Sequence, residues 1–490
     1  MRLNKEMVMD YQKFPERIIQ FGEGNFLRAF VDWMVNEMND KADFESSVVL
    51  VQPIERGMVD EINKQDGLYT LVMKGLKNGM ASFDTQLIQS VSRGINPYSD
   101  FKGYLKLAEN PDMRFIVSNT TEAGIAFSAD DKQDMTPPRT FPGKLTVLLY
   151  HRYKTFKGDK NKGFIILPCE LIDRNGDNLK KAVLQYCQLW NLEIDFQTWL
   201  AEANVFCNTL VDRIVPGYPA DTAKEIEGKV GYEDKLIVEG EPFHLWVIEG
   251  PEWISNELPA HKANLNVLFV NDMTPYRTRK VRILNGAHTV MTPVAYLSGI
   301  ETVREAVEHP LVGEYINQTL HEEIIPTLDL SREELVNFAA SVHERFLNPY
   351  VKHSLMSISL NSMSKFKARV LPSLTEYKKR KGNIPALMSF SFAALLAFYS
   401  GKNGNQTIAL KDDDYVLSLF NTLWGKYNSK EITADQLVTS VLKDTMLWGE
   451  DLSTIQGLAE TTSSFLKDIL KDGVLQVLDR LMSQKALQKN

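Results

Sequence analysis

An apolar run, Arg17-Ile-Ile-Gln-Phe21, meets a glycine turn, Gly22-Glu-Gly24-Asn25-Phe26-Leu-Arg28, and the residues from Ala29 to Val35 then carry apolar groups at helical spacing. Strand, glycine turn, helix is the context that a dinucleotide site in a doubly wound sheet requires. The first glycine permits a tight turn. The second lets the backbone approach a pyrophosphate, which then sits on the helix N-terminus. Leu27 stands where the third glycine of the usual G-x-G-x-x-G falls, so on this stretch alone a plain turn reads equally well.

The runs that follow repeat the pattern. Ser46 to Val51 reads as a second buried parallel strand. An acidic residue at its end would bind a ribose 2′-hydroxyl, but Gln52 follows, then Pro53, with Glu55 and Arg56 shortly after. Gln52 can hydrogen-bond a ribose without repelling a 2′-phosphate, which leaves NAD and NADP both open. Met113 to Asn119 runs into Thr120-Thr121-Glu122-Ala-Gly124, where a nicotinamide ribose lies at the carboxyl edge of such a sheet. Gly163 to Cys169 and Asn264 to Asn271 are two more apolar runs of strand length. Repetition along a βα pattern favours an α/β domain built on a doubly wound sheet.

After about Thr274 the character changes to helices with readable caps. Ser331-Arg-Glu-Glu334 is a capping box ahead of Leu335, Phe338, Val342 and Phe346, and Thr433-Ala-Asp-Gln436 precedes Leu437, Val438, Val441 and Leu442 in the same way. Ala386 to Phe398 is apolar nearly all round, as a helix buried in a bundle is, and the amphipathic tail from Phe465 to Leu481 is expected to dock. The expected domains are therefore 1–273, holding a dinucleotide, and 274–490, mostly α-helical and carrying substrate and catalysis. Clefts at such junctions are common ligand sites.

Bulk properties narrow the function classes. A chain of 490 residues exceeds one ordinary core. With 55 Lys plus Arg against 63 Asp plus Glu, the net charge of −8 offers no footprint for nucleic acid. Cys169, Cys187 and Cys207 lack disulfide or zinc spacing. The apolar stretch from Ala386 to Tyr399 is too short to span a bilayer, and the first residues show no secretory h-region. A cytoplasmic protein with no membrane or nucleic-acid partner is expected.

The chemistry collects in Tyr276-Arg277-Thr-Arg279-Lys280-Val-Arg282-Ile-Leu-Asn285-Gly286-Ala-His288. A lysine whose pKa is lowered by desolvation or a neighbouring cation can take a hydroxyl proton near neutral pH. An asparagine amide can donate to a carbonyl oxygen as it gains charge, and a histidine can orient either one. On a regular helix Asn285 and His288 are one turn apart, while Lys280 lies roughly 12 Å below His288 and the three span about 140°. Convergence then needs Lys280 at the helix start. Gly286 costs about 1 kcal/mol inside a helix, which a closely approaching cofactor or backbone would justify. The bland alternative is a basic helix surface with a core histidine. Tyr276 and Lys280 share the Y-x-x-x-K spacing of short-chain dehydrogenases, but so do Tyr377 and Lys381, so the spacing alone carries little. There is no H-E-x-x-H and the eight histidines are scattered, so no metal is expected.

With these residues in view the chain resembles the mannitol dehydrogenase family of polyol-specific long-chain dehydrogenases over nearly its whole length. The resemblance rests on Gly22-x-Gly24-Asn-Phe26-x-Arg28, Gly67-Leu-Tyr-Thr70, Thr121-Glu122-x-Gly124, Val211-Asp-Arg-Ile214, Lys280-x4-Asn285-x2-His288 and Arg345-Phe-x-Asn348-Pro349. It implies a Rossmann-type N-terminal domain, NAD as cofactor, and Lys280 as general acid/base, with Asn285 polarising the carbonyl and His288 positioning. It implies Phe21, Gly22, Gly24, Asn25, Phe26, Gln52, Asn119, Thr121 and Glu122 as cofactor contacts, and Lys365 as a second lysine near the substrate. Three positions depart from the family. Leu171 replaces a second catalytic asparagine, so that oxyanion partner is either absent or supplied from elsewhere, with Asn175 the candidate. Ser357 replaces an arginine, and Arg277 replaces a glutamate three residues before the lysine. An arginine there suits a substrate carboxylate, so a keto-uronate reduced to an aldonate is expected. A sister enzyme acting on another keto-uronate or a neutral polyol is the rival, as is a non-catalytic dinucleotide sensor.

Overall fold

In the computed structural model, which describes residues 1–77, 79–121 and 123–489, the chain divides into two compact units. The first holds Met1–Lys77 and Ser82–Met273, and the second holds residues 79–81 and the chain from Thr274 onward. The first is built on strands β1 (Glu16–Phe21), β2 (Ser47–Val51), β3 (Tyr69–Lys77), β4 (Met80–Ile88), β5 (Val91–Ile95), β6 (Phe115–Ser118), β7 (Ile165–Pro168), β8 (Val205–Phe206), β9 (Asn208–Asp212), β10 (Val238–Gly240), β11 (Leu245–Glu249) and β12 (Val267–Val270).

The main sheet runs β5-β2-β1-β6-β7-β8, parallel throughout. Its strands alternate between two buried faces, which is why they read as unbroken apolar runs. Ile18, Val48, Leu50, Phe115 and Val117 pack with Phe30, Trp33 and Met34 of helix α1 (25–42). Ile19, Phe21, Val49, Val51 and Ile116 pack on the other face. There they meet α2 (Phe141–Thr155), α3 (Asn175–Leu189) and α4 (Ile194–Ala203). The order reverses at β1, whose Phe21 lies opposite Ser118 of β6. That reversal opens a crevice at the carboxyl edge, where α/β sheets bind ligands.

Two small sheets complete the unit, β10-β3-β4 and β12-β11-β9. The second corrects the expectation for residues 264–271. β12 pairs parallel with β11, and β11 pairs antiparallel with β9, outside the doubly wound sheet. An apolar run marks a buried strand but says nothing of its partner. The three cysteines are buried and unlinked.

The second unit is helical. Its main elements here are α5 (274–297), α6 (Arg332–Phe346), α7 (Ser362–Arg369), α8 (Ala386–Phe398) and α9 (Leu458–Asp472). α8 is buried on nearly every face, each large side chain contributing about 2 kcal/mol. It packs on α9 through Phe390 and Phe465, ring centroids 5.6 Å apart, so this part of the tail docks. Thr433 and Gln436 close the expected capping box. At α6 only half of one forms: Ser331 accepts from the Glu334 N–H, while the Glu334 carboxylate is drawn to Arg279. No helix among the described residues is long and apolar enough to cross a membrane.

Candidate functional site

Two places gather the residues singled out above. The first is the turn after β1. Gly22 has φ +120°, and a Cβ there would lie 2.9 Å from the Asn119 carbonyl oxygen, so only glycine fits. Gly24 is different. It sits at the N-cap of α1 with φ −70°, and an added Cβ would meet nothing within 4 Å. At this one point the backbone faces open space, as close approach of a dinucleotide phosphate needs. No side chain caps α1, leaving its first N–H groups for a ligand.

Arg28 holds this turn from beneath. It is fully buried, donating from Nε to the Glu23 carbonyl at 3.1 Å, from Nη2 to Asn25 Oδ1 at 2.8 Å, and from Nη1 to the Leu236 carbonyl. Tyr69 donates to the Arg28 carbonyl at 2.7 Å. Phe26 stacks on Phe30 with centroids 5.0 Å apart. The Phe21 ring corrects its expected role, because it is buried against Tyr104 and Phe141. Only the main chain of Phe21 reaches the edge.

Gln52 is tied into its own loop. Its Nε2 donates to the Ile54 and Glu55 carbonyls, both at 2.9 Å. Both amide hydrogens brace the loop after β2, so what the side chain can offer a ribose hydroxyl is its Oε1, which the Val59 N–H approaches at 3.4 Å. Asn119 donates from Nδ2 to the Cys169 carbonyl at 3.1 Å, and from its N–H to the Phe21 carbonyl at 3.0 Å. Thr121 is exposed with φ +80°, a conformation that persists only where its surroundings impose it. Glu122 lies outside the described residues. Glu170, which sequence reasoning did not single out, clamps this edge: its carboxylate accepts Ser118 Oγ, the Thr120 N–H and Thr120 Oγ1, each at 3.0 Å. Burial holds its pKa above the ordinary carboxylate value.

Asn175 is a second correction. It is fully buried, donating from Nδ2 to the Pro168, Glu170 and Thr209 carbonyls, and accepting at Oδ1 from the Gly176 and Thr209 N–H groups. Its amide stitches β7, α3 and β9 together and has no hydrogen left for a substrate. Leu171, at the departed family position, is 63% exposed.

The second place is α5, and here the assumption of a regular helix is corrected. Thr274–Arg279 and Gly286–Leu297 are α-helical, but Lys280–Asn285 is a π-helical segment. Hydrogen bonds to the fifth residue bring residues five apart onto one face. Lys280 and Asn285 are five apart, so the wide arc of an ideal α-helix closes. Nothing in the residue pattern announces this. Gly286 donates to the Val281 and Ile283 carbonyls. A Cβ on it would lie 3.5 Å from the Arg369 carbonyl oxygen, an ordinary contact, so packing does not demand the glycine.

The flanking arginines are fasteners. Arg279 is buried, pairs with Glu334 at 2.6 Å, and lies over the Phe338 and Tyr276 rings at 4.4 and 5.2 Å. Arg282 donates to the Ala368 carbonyl in the last turn of α7 at 2.5 Å. Arg277 and Lys280 are half-buried.

His288 packs on Phe346 at 4.6 Å and edge-on to His353 at 5.0 Å. Its Nε2 is buried with no hydrogen-bond partner among the described residues. Burial first, then His353, Arg369, Arg345 and Lys365, hold its pKa well below the ordinary value, so the ring is neutral. Lys365 donates from Nζ to the Ile358 carbonyl at 2.7 Å, and burial lowers its pKa. Ser357, at the other departed position, hydrogen-bonds the Ser354 carbonyl and stays local. Sequence reasoning missed His353 and Arg369, which carry no motif of their own.

A parallel sheet with a glycine turn at its switch point, continued into a helical unit that bears Lys280, Asn285 and His288, is the plan of the long-chain Rossmann-type oxidoreductases. The chain belongs to the mannitol dehydrogenase family: the model of the family's Rossmann domain matches residues 16–262, and that of its C-terminal domain matches 272–470. It is 49% identical to the altronate oxidoreductase of Bacillus subtilis (strain 168) over 99% of this chain and 98% of that one. It is 48% identical to the altronate oxidoreductase of Bacteroides thetaiotaomicron over 98% and 99%. Among solved structures it is similar to D-sorbitol dehydrogenase (TM-score 0.79, 21% identity, 98% of this chain and 100% of that one). It is also similar to mannitol 2-dehydrogenase of Pseudomonas fluorescens, solved with NAD and D-mannitol (TM-score 0.66, 21% identity, 99% and 100%). At that identity the structures speak for the fold.

Proposed function

We propose that the protein reduces D-tagaturonate to D-altronate with NADH, reversibly, in hexuronate catabolism. The observation that carries this reading is the 48–49% identity, sustained over nearly the full length, to chains named altronate oxidoreductase. NADH, when bound, supplies the hydride. The open space over Gly24 and the uncapped start of α1 fit its phosphates.

The remaining work falls to α5. Lys280 delivers the proton to the carbonyl oxygen during reduction and takes it back during oxidation. Asn285, brought onto the same face by the π-helical segment, donates its amide to that oxygen as charge develops. Together they supply proton and polarisation without a metal. His288 stays neutral and offers the buried Nε2 to a substrate hydroxyl. Arg277, one turn before Lys280, pairs with the substrate carboxylate, and Lys365 adds a second positive charge.

One panel tests this. NADH and NADPH oxidation are followed with tagaturonate, fructuronate and fructose, for wild type and Arg277→Glu. Tagaturonate with NADH should give the highest kcat/KM. In the variant that value should fall by about tenfold or more with NADH binding unchanged. A preference for fructuronate or fructose would reassign the substrate, and nucleotide binding without turnover would favour a sensor.

A further inference from the structure

The acid that usually recognises the adenosine ribose is missing from the end of β2, where Gln52 stands. Gln52 is neutral and has no charge to repel a 2′-phosphate; its amide hydrogens are held by the Ile54 and Glu55 carbonyls and its Oε1 faces the Val59 N–H at 3.4 Å. A carboxylate nevertheless reaches this place from another element. Glu23 lies between Gly22 and Gly24, is 7% exposed, and accepts the Met58 N–H on Oε1 at 3.2 Å. A Cβ added to Gly57 would lie 2.1 Å from Glu23 Oε1 and 2.6 Å from Gln52 Cδ. The Glu23 carboxylate and the Gln52 amide are thus packed against the same glycine, at the tip of β2 beside the turn. In a Rossmann sheet that is where adenosine sits. Ile54, 62% exposed on the same loop, offers an apolar surface for the base.

We infer that Glu23 is the cofactor-selecting residue, its carboxylate hydrogen-bonding the ribose 2′-hydroxyl and repelling a 2′-phosphate. The inference rests on the dinucleotide reading of the Gly22–Gly24 turn. The charge it must outweigh is Arg56, exposed on the loop after β2, which by itself would attract a phosphate. Glu23 is nearly buried and tied to Met58, so its charge acts from a fixed position, whereas Arg56 stands in solvent, where charge is screened.

The test is binding, measured by fluorescence titration of NADH and NADPH and by competition with adenosine 5′-monophosphate and adenosine 2′,5′-bisphosphate. Wild type should prefer NADH and the monophosphate. Glu23→Gln keeps an oxygen for the Met58 N–H, so its melting temperature should hold while its NADH preference shrinks about tenfold, the equivalent of ~1.4 kcal/mol. Glu23→Asp, with the charge retained on a shorter arm, should weaken NADH binding and still reject NADPH. Unchanged preference in a folded Glu23→Gln, or loss of NADPH rejection in Glu23→Asp, would overturn the inference. A wild type that prefers NADPH would overturn it while leaving the dinucleotide reading intact. A wild type that binds none of the four nucleotides would overturn both.

Discussion

At the glycine turn the main chain is presented, above the buried side chains of Leu27 and Arg28. On α5 the main chain is covered and the side chains are presented. Both segments contain a π-helical stretch, Arg28–Asp32 in α1 and Lys280–Asn285 in α5, but each uses it differently. In the turn, Arg28 is buried and holds the Glu23 carbonyl and Asn25, so what remains exposed is Gly24 and the start of a helix. On α5, Arg279 and Arg282 fasten the helix to α6 and α7, and the distortion realigns Lys280 with Asn285. A backbone site needs rigid side chains beneath it, and a side-chain site needs rigid neighbours around it. In both, arginines supply the fastening.

The sharpest way to break the comparison is to remove one side chain from α5. Lys280→Ala should lower kcat by about 10²–10⁴ with the NADH Kd unchanged, since the backbone site is elsewhere. Turnover surviving in this variant would disqualify Lys280 as the acid/base. Next comes the glycine pair. Gly22→Ala places a Cβ against the Asn119 carbonyl at a φ that side chains rarely adopt, and should cost about 3 kcal/mol of stability. Gly24→Ala, pointing into open space, should leave the melting temperature within a few degrees while weakening NADH binding. Equal melting temperatures for the two would show that the turn is not held as described.

The smallest effect separates two neutral histidines. Like His288, His244 is pushed down chiefly by burial, here to about 4, with Arg213 adding to it. Its Nε2 accepts the Asn266 N–H at 2.9 Å and its Nδ1 lies 3.2 Å from the Pro242 carbonyl, so protonation breaks a bond. Because the folded pKa lies below the unfolded one, the unfolded chain takes up the proton first as pH falls. The stability of the first unit should therefore drop from near pH 6.5 downward and level off near 4, by about 2 kcal/mol at pH 5. His244→Gln should flatten that slope in pH-dependent unfolding. An unchanged slope would assign the acid sensitivity to other groups.

The residues themselves made much of this legible. β1, β2, β6 and β7 are apolar runs ending in small or polar residues, because parallel strands bury both faces. The switch from strand runs to capped helices near Thr274 is plain in the periodicity. Lys280, Asn285 and His288 could be gathered because they are close in sequence. Asn175 was misread because the sequence shows an amide but not which carbonyls hold it. β12 was misplaced because an apolar run does not specify its pairing. His353 and Arg369 were invisible because their only connection to His288 is spatial.

The sequence by itself determined the fold class, the family and the cluster of groups suited to move a proton, since these depend on local pattern and short spacing. The tertiary structure decided which of those groups are available. It turned Arg279, Arg282, Gln52 and Asn175 into supports, neutralised His288 by burial among cations, and carried the Glu23 carboxylate to the end of β2. The physical reason is the same in each case. A polar side chain is defined by the partners that satisfy it, and those partners come from distant parts of the chain.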